Sequence, residues 1–588
     1  MTHPTRSTIT SLAGLLLAGC VAARVSHPSP STERFTLIIG ADPTDTLAPV
    51  TLRLDLPPRG DSVILLQLPS EYAGRSKLYD NIVGLRALST GARLEPTVDH
   101  DKVRLIHSPN KPASVAWRLR TTPPSSSDIS AHNFSDIGRG VAQLIGVDAF
   151  VLPQVPSSTP VEMRIRFALP AGAGHVATSF GAPYRRDSSI IVRESAGGVR
   201  KGLYTFALDS SALREQRMVV GGGNLTVLVR GHHAIPDSVL VASVQRVIGV
   251  ERAFWQSAAP AEFLVSIGVA PRGGLGGQGL SNAFDADIDS MRTMDPGVLE
   301  LFAHELMHDW IGGGRMRASP RVADGSLSWF TEGFDDFETH RVMHAGGMLT
   351  DSAYIAHVNK VIMDHALSSA RDSSTDAIRA GRWNDGSMQR ESYLRGELLG
   401  YRLNAAVERV TQGAQSLDSL LKRMYLSANG EDLGYTKDRL VQEFGVVIGT
   451  EAARREIDRT IEGGAIDLPD GALGPCAEAS TASYSRWDPG FDIAASLASK
   501  RTAGVRPNGP AAIAGMRDLM RIVGVNIYPG DTSKPIELSV RTESGVVKLR
   551  YLPQVEKVPV QQWRLRTGCR TSSAVRSAGL PATPRRRK

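Results

Sequence analysis

The chain has 588 residues, of which 41% are hydrophobic and 22% charged, a composition typical of folded soluble domains rather than of disordered or membrane-embedded chains. Its length predicts about three or four domains. The net charge is +7, but six of the basic residues lie between Arg570 and Lys588, so the body of the chain is nearly neutral. This distribution excludes a general nucleic-acid-binding surface as the explanation of the basic pI.

The first twenty residues have the pattern of a bacterial secretion signal. Arg6 precedes a short apolar run, Ile9–Ala18, which is too short to span a bilayer. The run ends in LAGC, which resembles a lipoprotein box, so residues 1–20 are predicted to be a lipoprotein signal peptide with Cys20 as the lipidated residue. No aspartate follows Cys20, which favours the periplasmic face of the outer membrane. An ordinary secretory signal with an incidental cysteine is the alternative.

Downstream, the pattern of the chain changes three times, and a multidomain α+β fold is expected. Alternating, β-rich segments separated by Pro, Gly and Ser clusters predict an N-terminal β-sandwich-like domain over 34–235. A helix from Ser238, a strand at 262–270 and a Gly-rich stretch then lead into a further helix, giving a mixed domain over 236–345. Amphipathic segments predict an α-helical domain over 346–467. A linker at 468–475 precedes a smaller β-rich unit, 476–569.

Two cysteines lie at the ends of the last unit, and a basic tail follows it. If Cys20 carries lipid, the remaining pair, Cys476 and Cys569, is predicted to form a disulfide in an oxidising compartment. Two buried thiols are the alternative. Residues 570–588 are rich in Ser, Ala, Pro and Arg and are predicted to be disordered, either solvated or in contact with an anionic membrane surface.

The segment LFAHELMHDW (301–310) contains a pattern of the form H-E-x-x-H. Residues four apart share one face of a helix, so His304 and His308 can offer two imidazoles to one metal while Glu305 lies beside a bound water. Two surface histidines on a helix are the alternative. A zinc site needs a third protein ligand, and Glu332, on the next predicted helix, is the candidate.

Together, H-E-x-x-H-x-W and the following W-F-x-E-G-F resemble the gluzincin metallopeptidases, in which a glutamate is the third ligand. The segment from 392 to 425 resembles the Y-x-K-G-x-L helix of the glycyl aminopeptidase family, with Arg395 in place of the lysine. GFDI (490–493) and VRPNGPAAIAGM (505–516) resemble the PDZ domain at the C-terminus of that family. The resemblance implies a thermolysin-like domain at 236–345, a PDZ-like domain at 476–569, and one zinc per chain.

Each site residue then has an expected role. Glu305 is the general base that takes a proton from the water, and the resemblance implies that Tyr393 stabilises the oxyanion. Asp336 is expected to hold a ligand histidine, with Asp335 as the alternative. Four further histidines are expected at the surface and not as ligands, because the ligand set is already complete: His340, His344, His232 and His233.

The Gly-rich stretch departs from the family pattern. The family carries a Gly-Gly-Leu-Glu segment on its edge strand, whose glutamate binds the free amine of the substrate. Gly273, Gly274 and Leu275 match this segment and are predicted to bind substrate together with Gly276, which stands in the place of the glutamate. The absence of this glutamate predicts that cleavage depends only weakly on a free N-terminus of the substrate. Exopeptidase and endopeptidase action therefore both stay open. Asp285 and Glu391 are candidates for a substitute carboxylate.

Two functions are therefore compatible with the sequence. The first is a membrane-anchored zinc metallopeptidase that hydrolyses peptide or protein substrates. The second is a non-catalytic lipoprotein adaptor that binds peptides through its cleft and its PDZ-like unit. Neither involves nucleic acid.

Overall fold

The structure is a computed structural model. It describes residues 32–42, 44–120, 131–138, 140–170, 173–181, 189–270, 273–428 and 434–569. The predicted signal peptide with its Cys20 and the basic tail 570–588 lie outside the described residues. The described chain is a mixed α+β protein, in agreement with the predicted fold class.

The N-terminal part consists of strands arranged in three main sheets around one core. In Val50–Leu56 the residues Val50, Leu52 and Leu54 are buried while Arg53 is exposed, as expected for a strand with one face inward. The strands are β1 (Glu33–Ala41), β2 (Val50–Leu56), β3 (Val63–Gln67), β4 (Glu71–Tyr72), β5 (Arg75–Ser76), β6 (Ile82–Ala87), β7 (Arg93–Pro96), β8 (Lys102–Ile106), β9 (Ala113–Leu119), β10 (Asp136–Gly138), β11 (Val141–Ile145), β12 (Leu152–Pro153), β13 (Pro160–Ala168), β14 (Gly174–Thr178), β15 (Ser189–Ser195) and β16 (Leu203–Ala207), with short helices α1 (Gly146–Ala149) and α2 (Ala196–Arg200). The sheet orders are β15-β13-β1-β2-β9-β6, β10-β11-β16-β14 and β12-β3-β8-β7.

A five-stranded sheet of order β17-β18-β19-β21-β20 carries the next part of the chain. Its strands are β17 (Leu213–Val220), β18 (Gly223–Arg230), β19 (Glu262–Val269), β20 (Leu275–Leu280) and β21 (Ala283–Ile288). Strands β18, β19 and β21 run parallel, and β17 and β20 are the two antiparallel edge strands. Helix α3 (Asp237–Trp255) forms the crossover between β18 and β19.

This pairing corrects the boundary predicted at residue 235. Strands β17 and β18 were expected in the N-terminal β domain, but β18 pairs with β19 from Asn224 to Val229. The sheet that supports the Gly-rich stretch therefore begins at Leu213. The residue composition of a strand does not reveal which sheet the strand joins, because the same composition suits either sheet.

Helices dominate the region between the sheet and the last unit. Helix α4 begins where Asp295 accepts a hydrogen bond from the Val298 amide and Pro296 occupies its first turn. The helices are α4 (Pro296–Met307), α5 (Ser328–Thr331), α6 (Gly333–Ala345), α7 (Asp351–Leu367), α8 (Thr375–Gly381), α9 (Gly386–Val410), α10 (Leu417–Ser427), α11 (Lys437–Ile448) and α12 (Thr450–Ile461), and two short strands, β22 (Ile311–Gly312) and β23 (Met316–Arg317), follow α4. Among the described residues, no helix combines the length and the apolar character that crossing a bilayer requires.

Helices α5, α6 and α9 pack closely because two glycines meet at their crossing. Gly333 and Gly396 face each other, and a Cβ on Gly396 would collide with the backbone carbonyl of Trp329. Glu332 precedes the first glycine, and Tyr393 lies one helical turn before the second. The crossing therefore brings these two side chains to one site.

The last unit has its own small core and is tied to the helices by a long ribbon. Its elements are β24 (Ala477–Trp487), α13 (Ile493–Ser499), α14 (Pro510–Ile513), β25 (Arg521–Asn526), β26 (Ile536–Thr542), β27 (Gly545–Tyr551) and β28 (Gln554–Leu565). Strands β24 and β28 pair with each other, and β25-β26-β27 form a second sheet. Cys476 and Cys569 are joined in a disulfide with their Cα atoms 5.5 Å apart. Asn359 of α7 bonds through its side chain to both backbone groups of Trp563.

Candidate active site

The three residues predicted to bind zinc come together at the end of α4. His304 lies in the last turn of α4, His308 is its C-cap, and Glu332 lies at the junction of α5 and α6. The Nε2 atoms of His304 and His308 each lie 3.6 Å from Glu332 Oε2. We call these three residues the cleft cluster. One ligand atom from each residue falls within 4.8 Å of the others, a spacing that allows all three to contact one ion.

The other nitrogen of each imidazole is held by an acceptor. His304 Nδ1 lies 2.9 Å from Asp336 Oδ1 and 3.0 Å from Asp335 Oδ1. His308 Nδ1 lies 3.1 Å from the Ile311 carbonyl and 3.1 Å from Asp335 Oδ2. The sequence left Asp335 and Asp336 as alternatives; both contact His304, and Asp335 contacts both rings.

These contacts provide a test of whether the cleft cluster suits a metal. A carboxylate or carbonyl can only accept from Nδ1–H, so the lone pair of each ring is placed on Nε2, which faces Glu332. Two imidazole nitrogens, one carboxylate oxygen and acceptors behind both rings form the donor set that zinc prefers. The residues present therefore fit a zinc ion.

Glu305 lies beside the cleft cluster and is almost completely buried, with 6% of its surface exposed. Burial raises the pKa of Glu305 to about 7, while the neighbouring charges of His304 and His308 act to lower it. The edge strand β20 passes directly over this side chain, since a Cβ on Gly277 would lie 2.7 Å from Glu305 Oε1. A glycine is required at that position because of this close approach.

Tyr393, on α9, forms the opposite wall. Its ring lies 5.8 Å from the His304 ring at an angle of 28°. Burial acts to raise the pKa of Glu332, but the histidine charges and a hydrogen bond from Tyr393 bring it below its usual value. The hydroxyl of Tyr393 is therefore within reach of the cleft cluster.

Arg395, which replaces the family's lysine, points away from the site. Its guanidinium contacts Glu391 Oε1 at 3.1 Å and the carbonyls of Ala370, Arg371, Ser373 and Ile461. The Arg395 side chain is 1% exposed, and it donates hydrogen bonds to backbone carbonyls of two separate segments. Its role in this structure is to hold α9 in place.

A cleft of about 1170 Å³ opens above the cleft cluster. Its walls combine the N-terminal sheets, the edge strand β20 and the helices, so the parts of the chain meet around it. Among the residues that line it are Glu71, Tyr72, His132, Glu194, Gly277, Gln278, Asp324 and Tyr393. The volume exceeds that of most small-molecule pockets and suits an extended chain.

The predicted substrate-binding residues lie just upstream of the part of β20 that lines the cleft. Gly273 and Gly274 form a turn with φ values of 78° and 85°, and Leu275 begins β20. The cleft is lined instead by Gly277–Leu280.

Gly276, in the glutamate position of the family pattern, is covered by an imidazole that sequence reasoning missed. A Cβ there would lie 2.5 Å from His132 Nδ1, so His132 occupies the space of the missing side chain. Gln278 Nε2 donates to the His132 carbonyl at 3.2 Å, and Tyr72 donates to Gln278 Oε1 at 3.2 Å. His132 is 146 residues away from Gln278 in sequence, and no local sequence pattern indicates that the two residues are in contact.

The two candidate substitute carboxylates do not reach the cleft. Asp285 is 2% exposed and pairs with Arg230 and Gln143. Glu391 is fully buried and pairs with His365 and Arg395. Both are occupied in internal ion pairs, so neither is available to a substrate amine.

Comparison with protein-family models finds no match, and comparison with curated protein sequences finds none. Among solved structures, the fold is similar to an aminopeptidase N family protein from Idiomarina loihiensis, with a TM-score of 0.68, 13% identity and coverage of 90% of this chain and 98% of that one. It is also similar to a variant of an M1 zinc metallopeptidase from Deinococcus radiodurans bound to a Tyr-Ser-Ala substrate, with a TM-score of 0.50, 15% identity and coverage of 75% and 96%. At these identities the likeness establishes a common fold.

Proposed function

We propose that this chain is a zinc metallopeptidase whose metal is held by His304, His308 and Glu332. The observation that carries the proposal is the convergence of two Nε2 atoms on Glu332 Oε2 at 3.6 Å each, with acceptors fixed behind both rings. The two similar structures, an aminopeptidase N family protein and an M1 zinc metallopeptidase, agree with it.

The residues around the cleft cluster have the chemistry that peptide hydrolysis needs. A zinc ion bound there would polarise a carbonyl and make a water acidic near neutral pH. Glu305 is placed to take a proton from that water and to return it to the leaving amine. The Tyr393 hydroxyl is placed to donate to the oxygen on which negative charge develops.

The substrate we propose is an extended peptide lying along β20. An edge strand has backbone groups free to pair with such a peptide, and glycines at 277 and 279 let β20 lie directly against Glu305 and His308. The neighbouring Deinococcus structure is described as holding a Tyr-Ser-Ala substrate, which supports the class of ligand.

Weak dependence on a free N-terminus remains part of the proposal. At the position of the missing glutamate the cleft presents His132 rather than a carboxylate, and an ammonium group is costly to bury without a counter-charge. The test is a set of matched peptides with free and acetylated N-termini. Comparable cleavage is expected. Strict loss on acetylation would contradict the proposal and direct attention to the other carboxylates in the cleft lining, Glu71, Glu194 and Asp324.

The decisive experiment for the peptidase compares zinc content and peptide turnover in the wild type and in Glu305→Gln. The variant should keep its zinc and lose turnover by roughly 10²–10⁴-fold, because only the proton acceptor is removed. Glu451→Gln, at an exposed position of α12, is the matched control and should behave as wild type. Peptide binding without turnover in the wild type would instead favour the adaptor function.

The location and the last unit complete the proposal. We place the protein at the periplasmic face of a bacterial outer membrane, anchored by lipid on Cys20, and Cys20→Ser should release it into the soluble fraction. The residues that carry the PDZ resemblance include Phe491, Ala511 and Met516, which share the small core of the last unit. We propose that this unit binds a peptide segment, which immobilised-peptide binding by the full chain would test.

A further inference from the structure

A second set of histidine and glutamate side chains lies one helical turn from residues in or beside the cleft cluster, on α4, α6 and α9. Glu300 precedes His304 by four residues on α4, His340 follows Asp336 by four on α6, and Glu397 follows Tyr393 by four on α9. Side chains four apart stack on one helix face. The packing that gathers the cleft cluster must therefore gather this second set too.

His357, on α7, completes the second cluster, which we define as Glu300, His340 and His357. Each residue offers one ligand atom, and these atoms lie within 4.8 Å of one another. His340 Nε2 lies 3.9 Å from Glu300 Oε1. The rings of His340 and His357 are stacked with centroids 3.3 Å apart, so one ring has to turn out of the stack for both to direct an in-plane lone pair to one ion. The sequence placed His340 at the surface, but it is 4% exposed, because α6 is covered by neighbouring helices along most of its circumference.

The hydrogen bonds of His340 leave one nitrogen for a ligand. His340 Nδ1 lies 2.7 Å from the Asp336 carbonyl, which can only accept, so Nδ1 carries the hydrogen and Nε2 carries the lone pair. Within the described part of the chain, His340 Nε2 is buried without a hydrogen-bond partner. A buried nitrogen lone pair that faces a carboxylate oxygen is not stabilised by that oxygen. A cation bound between the two atoms would stabilise both.

Glu397 supports the second cluster from behind. It is fully buried, its Oε1 lies 2.7 Å from His357 Nε2, and the Tyr401 hydroxyl donates to the same oxygen at 3.4 Å. A carboxylate that fixes a ligand imidazole is the usual outer partner of a metal-binding histidine.

We propose that Glu300, His340 and His357 form a second divalent-metal site, with Glu397 orienting His357. Two imidazoles and one carboxylate suit zinc or a similar borderline divalent ion rather than calcium or magnesium. The Glu300 side chain is 34% exposed, so an ion can reach the site from solvent. This proposal does not depend on the peptidase proposal, because the two clusters share no ligand.

A metal at the second cluster would act on structure. It would join α4, α6 and α7, and stabilise the folded chain by mass action. Asp336 connects the two clusters, since its carbonyl holds His340 and its carboxylate holds His304. Metal binding at the second cluster would therefore fix the position of Asp336, whose carboxylate contacts His304.

The test counts zinc on chelator-stripped protein after equilibration with Zn²⁺, by elemental mass spectrometry. Wild type should bind two zinc ions per chain. His340→Ala and His357→Asn should each bind one, and zinc should raise the Tm of these variants less than that of wild type. His344→Ala, on the same helix but outside the cluster, is the control and should bind two. The doubly substituted His304→Ala/His308→Ala chain should still bind one.

One zinc per chain in wild type, unaffected by His340→Ala, would overturn the second site and leave the peptidase proposal intact. One zinc lost in His340→Ala but kept in His308→Ala would support the second site and overturn the cleft assignment. The doubly substituted chain isolates the second cluster directly. If that chain does not fold, the wild-type and His357→Asn counts still decide.

Discussion

The cleft cluster and the second cluster both take a residue from α4 and one from α6 or its N-cap, but they are assembled differently. The cleft cluster takes both histidines from one five-residue motif at the end of α4, whereas the second takes one residue from each of α4, α6 and α7. Only the cleft cluster lines the large cleft and has Glu305 and Tyr393 beside it. Ligand geometry alone would not make either cluster a reaction site. Under the proposed function, a general base, an oxyanion donor and room for substrate would distinguish the cleft cluster from the second.

The largest expected effect separates the clusters by their histidines. His308→Ala should lose the zinc of the cleft cluster and reduce turnover by more than about 10³-fold, because base catalysis and oxyanion stabilisation fail together. His340→Ala should lose the other zinc and keep the cleft zinc. Zinc counting and peptide assays on both variants check this, and a His308→Ala enzyme with normal turnover would break the comparison.

The next effect concerns Tyr393, the proposed oxyanion donor beside the cleft cluster. Tyr393→Phe should lower kcat by about 10²–10³-fold, the usual cost of one oxyanion donor, with zinc content unchanged. Because Tyr393 also acts to lower the pKa of Glu332, zinc content must be measured in parallel. Loss of zinc together with kcat would show that Tyr393 acts through Glu332 instead.

A smaller effect should come from the acceptors behind the imidazoles. Asp335 contacts both rings of the cleft cluster, whereas Asp336 contacts His304 alone. Asp335→Asn should therefore weaken zinc binding by about 10–100-fold, and Asp336→Asn by less. Competition with a chromogenic chelator gives both affinities. Equal affinities in the two variants would contradict the bridging role of Asp335.

The smallest effect on turnover is expected at the disulfide. Cys476→Ser should destabilise the last unit by up to about 4–5 kcal/mol in the chain-entropy model, since 93 residues separate the two cysteines. Turnover should stay at the wild-type level, because neither cysteine lines the cleft. Chemical unfolding and peptide assays measure the two quantities, and a parallel fall in turnover would mean that the last unit supports the cleft.

The parts of the site predicted from sequence are those encoded over a few residues or carried by a family pattern. His304, Glu305 and His308 follow from helical spacing, and the start of α4 follows from Asp295 and Pro296. Glu332 was the candidate third ligand on the next predicted helix and Tyr393 came from the family resemblance. The structure places both beside the histidines because Gly333 and Gly396 let their helices meet.

The parts that sequence reasoning missed depend on contacts between distant segments. His132 covers Gly276 from the N-terminal sheets, and the cleft-lining stretch of β20 is set by pairing with β21. His340 looked like a surface residue because its burial arises from helices far along the chain. The assignment of β17 and β18 failed for the same reason, since a strand does not specify its partner.

The most direct measurement is an anomalous difference map at the zinc edge, from crystals of zinc-equilibrated protein. A peak within bonding distance of His304 Nε2, His308 Nε2 and a Glu332 oxygen is predicted, with a second at Glu300, His340 and His357. Absence of the first peak in crystals that bind zinc elsewhere would contradict the assignment of the cleft cluster as the catalytic metal site.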